Sequence, residues 1–262
     1  MIGGFVVSGS AAKRVLVRAV GPSLTAQGIG SSEVLVDPSI EVYKGDAVIA
    51  SNDNLSQALN AAEITSTAAQ IGAAALLESD TTSSSLLLTL EPGVYSFIAT
   101  GKNGASGIVL LEVYDADTGE TASGSNFANI ATRAYSTSGN GVTIGGFVIS
   151  GSASKQVLLR AVGPTLTTQG IGEADVLVDP MIALHDARNG NSMIGNNDDW
   201  STNTNAAEIT ATAARIGATP FDNADARSSA LLVTLAPGVY SFIASGKSAT
   251  SGIVLVEVYD AD

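Results

Sequence analysis

The residues with most to offer chemically are oxygen-rich loops that occur twice. Asn52, Asp53 and Asn54 in "SNDNLS", and Asn197, Asp198 and Asp199 in "NNDDWS", each gather amide and carboxylate oxygens at consecutive positions. Hard cations such as Ca2+ take roughly six to eight oxygens. Asp115 and Asp117, with Asp260 and Asp262, could add more from the two "YDAD" strings. The spacing completes no EF-hand or RTX calcium motif, and Asn and Asp also populate turns by bonding their own backbone. The expectation is a structural Ca2+ at most, with no other cofactor and no catalytic metal.

Catalysis finds little to work with. The one histidine, His185, aligns with Tyr43 in the other half of the chain, which suits a surface strand position better than a general base. There is no cysteine, hence no thiolate nucleophile, thiolate metal site or disulfide. No G-x-S-x-G, H-E-x-x-H or phosphate-loop pattern occurs. No carboxylate pair stands out in a polar cleft. Arg18 and Arg160 sit mid-strand among aliphatic residues, where a buried guanidinium needs a carboxylate partner. Asp37 and Asp179, or Glu112 and Glu257, are the repeated acids that could serve. Trp200 aligns with Leu55, so a semi-buried apolar slot fits it better than a sugar-stacking platform. Lys13 and Lys155, like Lys102 and Lys247, are duplicated, but no local motif marks them for crosslinking. The expectation is a protein that is not an enzyme.

Every one of these pairs reflects an internal repeat, the first feature to establish in such a chain. "IGGFVVSG" (2–9) returns as "IGGFVISG" (144–151), and "VLVRAVGPSLTAQGIG" (15–30) as "VLLRAVGPTLTTQGIG" (157–172). The offset is 142 until three residues enter near "DARNGNSM", and 145 from there to the closing "SGIVLLEVYDAD" and "SGIVLVEVYDAD". The copies span 2–117 and 144–262, and 262 residues suffice for two domains with their own cores. The shared run LxPGxYSFIxxGKxxxxSGIVLxEVYDAD, with IGGFVxSG and RAVGPxL, resembles repeat domains of large exported bacterial proteins. Its "PGVYSF" core is similar to jelly-roll modules appended to secreted peptidases. The resemblance implies export and a β-sandwich, and it carries no catalytic residues.

The elements that must hold these residues are strands. In "GVYSFIATG", Tyr95, Phe97 and Ala99 alternate with Val94, Ser96, Ile98 and Thr100. Similar runs at 3–9, 14–20, 39–43, 47–51, 84–90 and 106–116 make about seven short strands per copy, the count of an antiparallel sandwich of jelly-roll or Ig-like type. "NAAEITSTAAQIGA" breaks the alternation: Asn60 and Glu63 suggest a capping box, and Ile64, Ala68 and Ile71 have helical spacing. Short helices are expected at 61–71 and 206–216, lying on the sandwich edge. The fold class is all-β: two tandem β-sandwich domains, each with one short helix. The expected divisions are 1–117, a Gly/Ser/Thr linker at 118–130, and 131–262 with an additional N-terminal strand.

That additional strand sets the functional expectation. Ile130, Ala131, Thr132, Arg133, Ala134 and Tyr135 lead through a Gly-Asn-Gly turn into the strand at 143–150, as in a hairpin. The first copy has no such lead-in, so Ile2, Gly3, Gly4, Phe5, Val6 and Val7 form an apolar strand with a vacant neighbour position. Bare apolar edges are association-prone. Either further copies lie upstream or another chain fills the vacancy, and both point to a head-to-tail extracellular polymer or stalk. The alternative is a secreted carbohydrate-binding or Ca-binding module of a larger exported protein. A formal net charge of −13 disfavours nucleic acid. No apolar run approaches the roughly 18 to 20 residues of a membrane span. "MIGGFVVSGSAA" lacks a basic segment and recurs mid-chain, so it belongs to the fold and is no signal peptide. The partners expected are copies of itself or adjacent repeats, with polysaccharide the rival.

Overall fold

Alternation along the strands sorts the side chains into a dry face and a wet one: Tyr95, Phe97 and Ala99 are buried while Val94 is exposed. The computed structural model describes residues 1–117 and 124–262. Contacts divide the chain into two units, Met1–Ala128 and Asn129–Asp262.

The first unit is built from β1 (Ile2–Gly9), β2 (Lys13–Val20), β3 (Pro38–Lys44), β4 (Ala47–Asn52), β5 (Ser84–Leu90), β6 (Gly93–Gly101) and β7 (Leu110–Asp115). One antiparallel sheet runs β1-β6-β3-β4 and the other β5-β2-β7. Phe5, Val15, Val17, Ile40, Val42, Tyr95 and Phe97 interlock between the two sheets. Helix α1 (Ala61–Gln70) lies where the spacing placed it. It does not sit on the sandwich edge, however. Ile64 packs on Leu16, with Leu87 and Tyr114 beside them, so the helix covers the outer face of the β5-β2-β7 sheet. Even-numbered residues of β2 point that way, opposite to Val15 and Val17. Nor does Asn60 cap: its side chain makes no helix bond.

The second unit repeats this plan. Its elements are β8 (Ser125–Ser136, shared at its start with the first unit), β9 (Thr143–Ile149), β10 (Lys155–Val162), β11 (Pro180–Asp186), β12 (Ser192–Asn197), helix α2 (Ala206–Arg215), β13 (Ser229–Leu235), β14 (Gly238–Gly246) and β15 (Gly252–Asp260). One sheet is ordered β12-β11-β14-β9, and β13-β10-β15-β8 forms the other side. The three extra residues fall in the β11–β12 turn at Ala187–Asn189, where a surface connection absorbs them.

The repeated "AVGP" has a steric cause. After β2 the chain turns at Gly21 into a short turn of 3-10 helix begun by Pro22, and Gly163 with Pro164 does the same after β10. A side chain on Gly163 would place its Cβ 1.9 Å from the Leu177 carbonyl oxygen, and one on Gly21 would stand equally close to that of Leu35. Gly163→Ala is expected to cost about 3 kcal/mol, since backbone must move to admit one carbon. Differential scanning calorimetry checks it, and a variant as stable as its parent would show that the turn yields freely.

The lead-in strand departs from expectation in three ways. It forms no hairpin with β9: Asn129–Ser136 run antiparallel along β15, Asn129 opposite Tyr259 and Ser136 opposite Gly252. The two strands around the Gly-Asn-Gly turn thus enter opposite sheets. The linker expected at 118–130 is strand from Ser125 onward, while 118–123 lie outside the described residues. The boundary accordingly falls after Ala128, and the first unit reaches past 117. Lastly, β1 is not left without a second neighbour, because the opening residues of β8 border it. The Ser8 hydroxyl donates to the Asn126 carbonyl at 3.2 Å, and the Ser125 hydroxyl joins the Ala11 backbone.

Candidate functional site

Two equivalent edges, compared between the units, are where the copies differ most. In the first unit the β1 edge is covered by Ser125–Ala128. Phe127 meets Phe5 edge-on, ring centroids 5.6 Å apart, and lies 5.8 Å from the Lys13 ammonium. Lys13 is only 1% exposed there, whereas its twin Lys155 is 41% exposed. The twin of β1 is β9, which closes its sheet with no second neighbour among the described residues and leaves Ile144 and Val148 62% and 66% exposed.

The opposite edge shows the reverse. In the second unit β15 is paired on both sides, by β10 and by Asn129–Ser136. In the first unit its twin β7 pairs with β2 alone among the described residues. Of these two edge positions, each unit has one covered by part of β8 and the other bare among the described residues. Of the edge residues named from sequence, Ile130–Tyr135 lie on β15, and Ile2–Val7 lie against β6. At these two edge positions the bare strands are β7 and β9, neither foreseen from sequence, while β4, β5, β12 and β13 end the sheets on their other sides. A signal for them exists: "SGIVL" occurs twice in the sequence and "NIATRAYS" once.

The oxygen-rich loops turn inward on themselves. Asn52 and Asn197 are not ligands in waiting, for their side chains brace the backbone. Asn52 accepts from the Ser85 amide at 3.1 Å and Asn197 from that of Ala230 at 2.9 Å, and each donates within its own loop. Asp53 is held by Lys102, and Asp198 by Lys247. In the second unit Asp198 and Asp199 gather with Asp179, one oxygen of each within 4.8 Å of the others. Burial pushes the Asp179 carboxyl up, and the charges of Asp198 and Asp199 add to this against the pull of Lys247. The hydrogen bond and charge of Asp198 in turn raise Lys247. In the first unit Asn54 takes the place of Asp199, and its buried Oδ1 has no hydrogen-bond partner among the described residues. A cation taking these oxygens would compete with a lysine ammonium already there. The "YDAD" acids are likewise engaged: Asp115 and Asp117 lie 2.7 and 2.9 Å from Lys13, and Asp260 and Asp262 clamp Lys155.

The mid-strand arginines face the helices, and the acids they meet are the glutamates. Arg18 Nε is 3.2 Å from Glu112 and Arg160 Nε 3.5 Å from Glu257. Asp37 and Asp179, the other acids considered, belong to the lysine loops. Arg160 stacks over Phe221, its guanidinium carbon 4.2 Å from the ring centroid, and Phe221 stacks in turn on half-buried Trp200. A cavity of about 290 Å3 opens beside this group and α2. The indole N–H of Trp200 is spent on the Asp225 carbonyl. His185 Nδ1 lies 2.9 Å from the Asn191 carbonyl of its own turn. No helix among the described residues is long and apolar enough to cross a membrane.

The fold and its edges define an all-β sandwich repeat protein. No protein-family model matches the chain, and no curated protein does.

Proposed function

We propose that this chain is a structural, non-catalytic building block of an extracellular filament, sheath or adhesin stalk, in which sandwich units follow one another head to tail and share edge strands. The observation that carries this reading is the division of β8. Its first residues cover the β1 edge of one unit and the rest complete the β15 edge of the next, while the equivalent edges at β9 and β7 are bare among the described residues. A strand of this kind between every pair of units would cover the β1-type and the β15-type edge of each. Strand addition spreads main-chain hydrogen bonds over a whole strand and so resists dissociation, and a bare edge is a standing invitation to it. Export belongs to the same proposal, as what the resemblance of the repeat motifs to exported bacterial domains implies. The carbohydrate-binding alternative wants an exposed aromatic platform, and Trp200 is instead stacked on Phe221. Negative-stain microscopy of the purified chain at high concentration is expected to show fibres or strings of units. Monodisperse two-unit particles at every concentration would refute the assembly.

A further inference from the structure

We infer that the bare edge of β7 and its lead-in, from Gly107 to Leu111, accepts one extended strand from a neighbouring repeat unit, antiparallel and in the register that Asn129–Ser136 adopts on β15. This acceptor role rests on the assembly reading above and names the surface through which it would work.

Two nearly identical sequences behave differently here, which isolates the cause. "SGIVLLEVYDAD" and "SGIVLVEVYDAD" differ only at Leu111 and Val256. Yet β15 begins at Gly252, whereas β7 begins at Leu110, three residues later than its twin position Gly107. The missing strand residues are Gly107, Ile108 and Val109. Their counterparts Gly252, Ile253 and Val254 are the ones that face Ser136, Tyr135 and Ala134. A ladder partner, not local preference, therefore makes the difference. Burial follows suit: Val254 and Val256 are 0% and 3% exposed, while Val109 and Leu111 are only half-buried.

The free hydrogen-bonding groups can be assigned. The Ile108 amide donates to Glu33 at 2.7 Å and its carbonyl accepts from Leu35 at 2.8 Å, just as Ile253 bonds to Asp175 and Leu177. Alternation along a strand turns the amides and carbonyls of Gly107, Val109 and Leu111 the other way. That is the side β8 takes in the second unit, and in the first no described backbone group meets them. At the far end, Phe127 over Lys13, which grips Asp115, marks where an incoming strand stops.

The occupant follows from the one seen on β15. Its inward positions Ala134 and Ser136 are small and buried, and Tyr135 points out. A strand of this pattern would set its serine opposite Gly107, its alanine opposite Val109 and its threonine, the counterpart of Thr132, opposite Leu111.

The test joins a second copy of residues 129–142 ahead of the full chain and follows amide hydrogen exchange. Exchange at Val109 and Leu111 is expected to slow by about tenfold or more relative to a variant carrying the same residues scrambled. Equal exchange in the two variants overturns the acceptor role. If the added segment disturbs folding, the 129–136 peptide supplied in trans reads the same amides by NMR, and unshifted resonances overturn the role equally. Microscopy of the parent separates the two ideas. Fibres without protection would keep the assembly and remove this edge from it, and protection without fibres would do the opposite.

Discussion

Replacing Asp225 with alanine is expected to lower the stability of the second unit by about 5 kcal/mol, because several buried donors lose their acceptor at once. Asp225 is buried, and its Oδ2 accepts from the Thr165 amide at 2.9 Å, from the Thr165 hydroxyl and from the Ser228 hydroxyl at 2.6 Å. Its Oδ1 accepts from the Ser228 amide at 2.8 Å and from that of Arg227 at 3.1 Å. The Ser228 hydroxyl also accepts from the Gly163 amide, so the carboxylate fixes, through one serine, the turn that only glycine can make. Asp80 repeats the arrangement with Ser23 and Ser83. There burial pushes the carboxyl up, but the bonds from the two serines outweigh it and hold it below the usual carboxylate range. The site around Asp80 is thus built for the anion. Trp200 is the only tryptophan and donates to the Asp225 carbonyl, so its fluorescence reports unfolding of this unit. Urea titration should show the midpoint of Asp225→Ala far below that of the parent, with Asp225→Asn between them. An alanine variant within about 1 kcal/mol of the parent, near the change usual at surface sites, would mean that water replaces the carboxylate without loss.

The architecture was largely legible because each of its determinants is local. Period-two alternation places Tyr95, Phe97 and Ala99 on one face whatever the rest of the chain does, and "NAAEIT" starts a helix where alternation stops. Strand partnership is not local. Asn129–Ser136 alternate as well for a hairpin with β9 as for a ladder with β15. The choice between them depends on which sheet lacks a neighbour, something no spacing records. The acidic loops misled for a related reason. Asn52 and Asn197 have the residue types of cation ligands, but a nearby strand presents amides at Ser85 and Ala230 that claim their oxygens first. Asp80 and Asp225 share a serine three positions on, Ser83 and Ser228, which alone reads as an ordinary turn, and the partners that make each a junction, Ser23 and Thr165, lie more than fifty positions away. The need of the arginines for an acid was legible from their place among aliphatic residues. The choice of Glu112 and Glu257 follows from register, which sets Arg18 opposite Glu112 and Arg160 opposite Glu257 on the face beneath the helix.

That register makes the second large effect calculable in sign as well as size. Arg160→Met keeps the bulk of the side chain but leaves Glu257 buried without its cation, a change expected to cost about 4 kcal/mol at neutral pH. Burial already pushes the Glu257 carboxyl up, and Arg160 together with the Tyr259 hydroxyl, 2.8 Å away, pulls it partly back. Removing Arg160 lets it rise further. A carboxyl whose folded pKa lies above its unfolded value, about 4.3 for glutamate, contributes its full stability below that value and loses it as pH rises through the folded pKa. The deficit of the variant should therefore be largest near pH 8 and shrink steadily toward pH 4.5, as read by urea unfolding followed at Trp200. Glu257→Gln placed in the same chain removes the stranded charge and should recover most of the loss at pH 8 while changing little at pH 4.5. A deficit that stays constant across this range, untouched by the second substitution, would trace the cost to lost stacking of the guanidinium on Phe221 and not to the ion pair.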